Sequence, residues 1–127
     1  MTNSSNLRFE RSKRLLSATS YRRVIKKATR NHDKFFIVLC HNKGDMPPQL
    51  GMAISRKNCR TAITRNRIKR IIREVFRHYQ AQLTGLDIVV INKPAAALAR
   101  NNVIAESVKG HFKKCSSIKQ KIIKQES

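Results

Sequence analysis

The residues of this chain best suited to chemistry are cations crowded into one segment, Ser55 to Arg77. The segment reads Ser-Arg-Lys-Asn-Cys-Arg-Thr-Ala-Ile-Thr-Arg-Asn-Arg-Ile-Lys-Arg-Ile-Ile-Arg-Glu-Val-Phe-Arg. At helical spacing Arg65, Lys69, Arg70, Arg73 and Arg77 fall on one arc with Asn66 among them, while Arg67 and Glu74 lie off it. A row at i, i+4 and i+8 sets positive charge about every 6 Å along a helix, a spacing that suits successive phosphates. Arginine grips a phosphate through two parallel N–H groups, and its plane also stacks on a base. The Asn66 amide adds a donor and an acceptor. Residues 56–77 carry a net charge of +8 with Glu74 as their one acid. Such crowding repels itself in the isolated fold, so a polyanionic partner explains it better than a merely solvated face does. Arg56, Lys57 and Arg60, just upstream, join the candidate nucleic-acid contacts.

Chemistry of other kinds finds little material. There are only 7 acids, and none forms an Asp-x-Asp or Glu pair for two-metal catalysis. His32, His41, His78 and His111 show no spacing for zinc or for paired acid–base work. Neither a protein-borne catalytic residue nor a protein metal site is therefore expected. The three cysteines, Cys40, Cys59 and Cys115, are far apart and odd in number, so no disulfide framework or Cys-x-x-Cys pair is visible. Cys40 reads as a small buried hydrophobe, and Cys59, in a loop, as open to solvent.

The elements that must position the cations follow from periodicity. Residues 1–16 read as a basic arm. Ser17 to Ser20 offer N-cap hydroxyls to a short helix in which Tyr21, Val24, Ile25 and Ala28 recur, ended by Asn31-His32-Asp33. Phe35 to Cys40 is a dense aromatic and β-branched run, a strand. Leu50 to Ile54 is a second strand, and turn residues between the two suggest an antiparallel hairpin. From about Ala62 to Leu83 the period is helical, with Ile68, Ile71, Ile72, Val75, Phe76 and Tyr79 within an arc of roughly 140°. Gly85 ends that helix, and Leu86 to Ile91 is a third strand, apolar enough to be central. A last helix begins at Asn101 or Asn102, and residues 116–127 read as a Lys-rich tail that frays. The order implies an α+β fold, an α/β sandwich in which a small central sheet is packed by three helices.

The whole chain of 127 residues carries 28 Lys+Arg against 7 Asp+Glu, a net charge of +21. Two +8 blocks, residues 1–30 and 56–77, and a +5 tail, residues 100–127, alternate with neutral strand segments. Hydrophobic residues make up 40%, too many for a disordered basic tail. The length suits a single domain over residues 1–127, and its charge suits nucleic-acid binding. No apolar run approaches a membrane span and no signal-peptide pattern opens the chain, so a cytoplasmic place without a membrane is expected.

Arg65-Asn66-Arg67-Ile68-Lys69-Arg70 followed by Arg73 resembles the signature of the bacterial ribonuclease P protein component. Ile54-Ser55-Arg56-Lys57, Ala62, Asp87 and Lys93-Pro94 are also similar to that family, and the resemblance spans about residues 7–115. It implies a small subunit of a ribonucleoprotein that removes the 5′ leader of precursor tRNA, accessory to an RNA subunit that performs the phosphodiester hydrolysis with bound Mg²⁺. It implies partnership with that catalytic RNA and with precursor tRNA; a protein partner is not implied. It also implies a left-handed βαβ crossover, which periodicity does not show. On the family pattern, Arg65, Asn66, Arg67, Lys69, Arg70 and Arg73 sit on the RNA-facing helix. A cleft lined by Tyr21, Ile25 and Phe35 or Phe36 takes the single-stranded leader. Aromatic faces stack bases with little sequence preference, which suits a leader of variable sequence. The chain has Tyr21 and Ile25 where family members commonly have Phe, and Ile25 offers no ring to stack. A basic structural RNA-binding protein, such as a ribosomal protein, is the alternative.

Overall fold

The computed structural model describes residues 28–44 and 46–126, with side chains as far as residue 117. The expected basic arm and first helix, with Tyr21 and Ile25, lie outside the described residues.

Four strands form one mixed sheet: β1 (Thr29–His32), β2 (Phe36–Asn42), β3 (Gln49–Ala53) and β4 (Leu86–Asn92), in the order β1-β2-β4-β3. β1 and β2 are antiparallel, with Thr29 opposite Cys40 and His32 opposite Ile37. The Asp33 carboxylate turns the chain between them by accepting the N–H groups of Phe35 (2.8 Å) and Phe36 (2.9 Å). The triplet Asn31-His32-Asp33 was expected only to end a helix; its first two residues close a strand instead, and Asp33 makes the turn.

The expected hairpin of Phe35–Cys40 with Leu50–Ile54 does not form. β4 lies between the two strands, antiparallel to β2 and parallel to β3. The reason is the composition of β4. Residues 86–90 are all buried, so the strand needs neighbours on both edges and cover on both faces. A parallel β3–β4 pair requires a long crossover, which the helix α1 (Ala62–Tyr79) provides. Gly85, at φ +87°, lets the chain enter β4. Its N–H donates to Met46 O and its carbonyl accepts Lys43 N–H, both at 2.7 Å.

Thr61 caps α1, its hydroxyl accepting the Thr64 N–H at 3.2 Å. Ile68, Ile72, Val75 and Phe76 are buried, and Ile71 and Tyr79 pack at their edge, as the apolar arc predicts. The last expected turn, Gln80–Leu83, tightens to a 3-10 helix. The second helix, α2 (Asn101–Glu126), includes the Lys-rich stretch beyond Ser116. Its Ile104, Val108, Phe112 and Cys115 join α1 against the face of the sheet that bears Phe36, Val38, Cys40, Leu50, Ile88 and Val90. Phe112 meets Phe76 edge to face at 6.0 Å between ring centres. The opposite sheet face is a smaller apolar patch, Leu39 and Val89 with Ala28, Ile37 and Ile91.

Two cysteine expectations are corrected. Cys40 and Cys115 form a disulfide, although 75 residues separate them, because α2 packs on the sheet face that carries Cys40. Cys59 is buried, not open to solvent, because it plugs the loop before α1 into the core.

Candidate nucleic-acid interface

The basic segment has two parts, a loop and a helix. The loop, residues 54–61, is pinned from beneath by Asn92 at the end of β4, itself buried. Its side-chain oxygen accepts Ser55 N–H at 2.8 Å, and its backbone carbonyl accepts the Asn58 side-chain amide at 2.9 Å. Cys59 N–H donates to Ser55 O at 3.1 Å, which closes the turn. The inward residues are thus fixed, while Arg56, Lys57 and Arg60 are left exposed.

On α1 the signature residues divide by task. Asn66, Arg70 and Arg77 are exposed; Lys69 and Arg73 are half-buried on the same arc. Arg65 folds back over the loop, its Nη1 donating to the carbonyls of Cys59 (2.9 Å) and Arg60 (2.8 Å). Arg67 points the other way, its Nη1 donating to Asn101 Oδ1 at 2.5 Å and reaching Ala99 O at 3.4 Å, so that it ties α1 to the start of α2. Glu74 sits beside Arg77 (3.4 Å) and His78 (3.6 Å) on the surface. The structure therefore brings the loop cations and the helix row onto one continuous stretch of chain backed by core.

The cleft residues are less uniform. Phe36 is 0% exposed and belongs to the core, so its ring face is not open to a base. Phe35 is half-buried at the core's edge, with Lys34 Nζ 5.9 Å from its ring centre. Its backbone is held at both ends. Its N–H donates to Asp33, and its carbonyl accepts Lys93 N–H at 2.8 Å. Lys93 Nζ also donates to Asp33 O at 2.6 Å.

Sequence reasoning missed the positioning residues. Asp33 Oδ2 accepts the Ser107 hydroxyl at 2.5 Å and lies 3.3 Å from the Nε2 of buried His111. Burial pushes the Asp33 carboxyl up, but the hydrogen bonds from Ser107, Phe36, Phe35 and His111 outweigh it and hold it at about 2. Ser107 and His111 are one turn apart on α2 and aim at the same oxygen. This serves to lock the β1–β2 turn onto α2 and does not build a nucleophile, which would need His between Ser and Asp. The i, i+4 pair was readable in the sequence; its target, 74 residues from Ser107, was not. Asp87 is also structural. It is 2% exposed and pairs with Lys43 at 2.6 Å. Among the described residues no group of three or more His, Cys, Asp or Glu could hold a metal ion, and no helix is long and apolar enough to cross a membrane.

The family model for ribonuclease P matches residues 9–116. The chain belongs to the ribonuclease P protein family. The ribonuclease P protein component of Methylococcus capsulatus is 40% identical over 104 residues, covering 82% of this chain and 81% of that protein. That of Nitrosococcus oceani is 38% identical over 112 residues, covering 85% and 94%. The fold agrees. The solved RNase P protein of Staphylococcus aureus matches with a TM-score of 0.71 at 29% identity, over 80% of this chain and 92% of that one. The Thermotoga maritima protein matches with a TM-score of 0.70 at 26% identity, over 80% and 96%. As a ribonuclease P protein, this chain is a subunit of an endoribonuclease complex of tRNA 5′ processing and associates with the RNA of that complex.

Proposed function

We propose that the protein binds the catalytic RNA of ribonuclease P through the loop cations Arg56, Lys57 and Arg60 and the α1 row of Asn66, Lys69, Arg70, Arg73 and Arg77. The same subunit holds the single-stranded 5′ leader of precursor tRNA, and so assists endonucleolytic removal of the leader by the RNA. The carrying observation is that a dense cationic row stands on a helix whose other side is core, so the charges keep their spacing without a partner. Preset spacing spares the ordering cost that a flexible tail meets on binding.

The leader lies beside Phe35 and the Tyr21–Ile25 segment in this reading, with stacking and phosphate contact in place of base-edge readout. The phosphodiester chemistry belongs to the RNA. Magnesium ions would be held mainly by RNA oxygens and not by this chain, and the chemistry they would supply is an activated water and neutralisation of charge on the reacting phosphate. The protein's cations lower the repulsion between RNA and substrate, which reduces the Mg²⁺ that assembly needs. The cytoplasm is the proposed place of action. Relatives and fold give no support to a ribosomal protein.

The test is reconstitution with ribonuclease P RNA and precursor tRNA at low Mg²⁺. Addition of the protein should stimulate cleavage at the mature 5′ end. RNA binding without stimulation would overturn the reading.

A further inference from the structure

The surface beside the cationic row is not uniformly polar. Ile63, on the first turn of α1, is 83% exposed, and Leu98, in the 3-10 turn Pro94–Leu98, is 91% exposed. Single exposed aliphatics are ordinary, but these two flank one structural feature. Ile63 lies one turn before Arg67 on α1, and Leu98 immediately precedes Ala99, whose carbonyl Arg67 reaches. The Arg67 bridge, completed by Asn101, ties the α1 turn that follows Ile63 to the chain just beyond Leu98. Neither contributes to the core, so folding does not account for them.

The surroundings are cationic. Arg60 and Arg100, both exposed, stand three residues before Ile63 and two after Leu98. Arg70, also exposed, is seven residues beyond Ile63 and shares its face of the helix. We infer that Ile63 and Leu98 form an apolar seat for an unpaired nucleoside of the ribonuclease P RNA, its base or ribose face lying on the two side chains while Arg60, Arg70 and Arg100 hold the flanking phosphates. This rests on the proposed RNA-binding face and adds a contact that the cationic row does not contain. Charge complementarity selects the occupant. A second copy of the chain would bring +21 against +21, whereas RNA supplies phosphate and an apolar base face together.

An apolar contact and a phosphate contact separate in the salt dependence of binding. Phosphate contacts release counterions and set the slope of log affinity against log salt; apolar contacts change affinity at constant slope. The experiment measures binding of full-length protein to ribonuclease P RNA over a range of KCl for wild type, I63S, the double variant I63S/L98S and R70A. The double variant should bind about three- to tenfold more weakly at an unchanged slope, the loss of one modest apolar contact. Its thermal melt should match wild type, since both side chains are exposed. R70A should lower the slope. Unchanged affinity in the double variant, with a lowered slope in R70A, would overturn the seat and leave the RNA face standing. Unchanged binding in both would overturn the face itself, and the seat with it. Sedimentation of wild type as a dimer that the double variant abolishes would assign the patch to self-association and also overturn the inference.

Discussion

At the scale of single residues, the arginines of the signature do unequal work. Arg70 is exposed and stands in the outward row, so R70A should weaken RNA binding and lower the salt slope by nearly one unit, with little change in stability. Arg65 spends one guanidinium nitrogen on the carbonyls of Cys59 and Arg60. R65A should therefore lower the melting temperature as well as RNA affinity, because it leaves those carbonyls without their donor. A melt identical to that of R70A would show that the loop does not depend on Arg65. Asp33 gives a pH signature. Its carboxyl is held at about 2 against an ordinary 3.8, so the charged form favours the folded state. Its contribution is complete above about pH 4 and is lost as the pH falls through about 2. The melting-temperature gap between wild type and D33N should be constant from neutral pH to about pH 4 and close below it. A gap that persists unchanged at about pH 2 would mean that ionised Asp33 does not carry the lock.

At the scale of elements, α1 joins two unlike surfaces, and each can be broken separately. Ile72 is fully buried between α1 and the sheet. Ile72→Ala should cost about 2–4 kcal/mol in urea unfolding, through lost burial and a residual cavity. Retained stability would place the apolar stripe on the wrong side of the helix. The loop before α1 depends on Asn92. Asn92→Ala removes the acceptor of Ser55 N–H and should cost about 1–3 kcal/mol. RNA affinity should fall with it, since Arg56, Lys57 and Arg60 lose the anchored backbone that spaces them. Full affinity in a destabilised Asn92→Ala protein would show that the loop cations need no such anchor.

At the scale of the whole molecule, charge and scaffold alternate along the chain, and the fold gathers them into layers. Neutral strands make the centre, and the cationic segment 56–77 lies outside it on a loop and α1. A net charge of +21 on so small a body sets a strong attraction for RNA at any angle of approach. Specific placement must then come from geometry. If the protein grips the leader, the reconstituted complex should bind precursor tRNA more tightly than mature tRNA, and the RNA subunit alone should show a smaller difference. Equal preference with and without the protein would remove the leader from its contacts.

Much of this was legible in the sequence because it depends on neighbours in the chain. The apolar arc of α1, the cationic row beside it and the central character of Leu86–Ile91 are matters of period and composition, and all hold in the structure. The Arg-Asn-Arg signature needed only adjacent residues to be read. What tertiary structure alone decided involves groups far apart in sequence. Composition makes β4 central, but nothing local makes it antiparallel to β2 and parallel to β3, since that depends on how α1 returns the chain to the sheet. Nothing local pairs Cys40 with Cys115, sets Asp33 against Ser107 and His111, or gives Arg67 its partner in Asn101. The sequence by itself determined which helix face is cationic and which is core, because a helix converts spacing directly into direction. Packing of that helix against α2 and the sheet determined which cations face outward and which brace the fold.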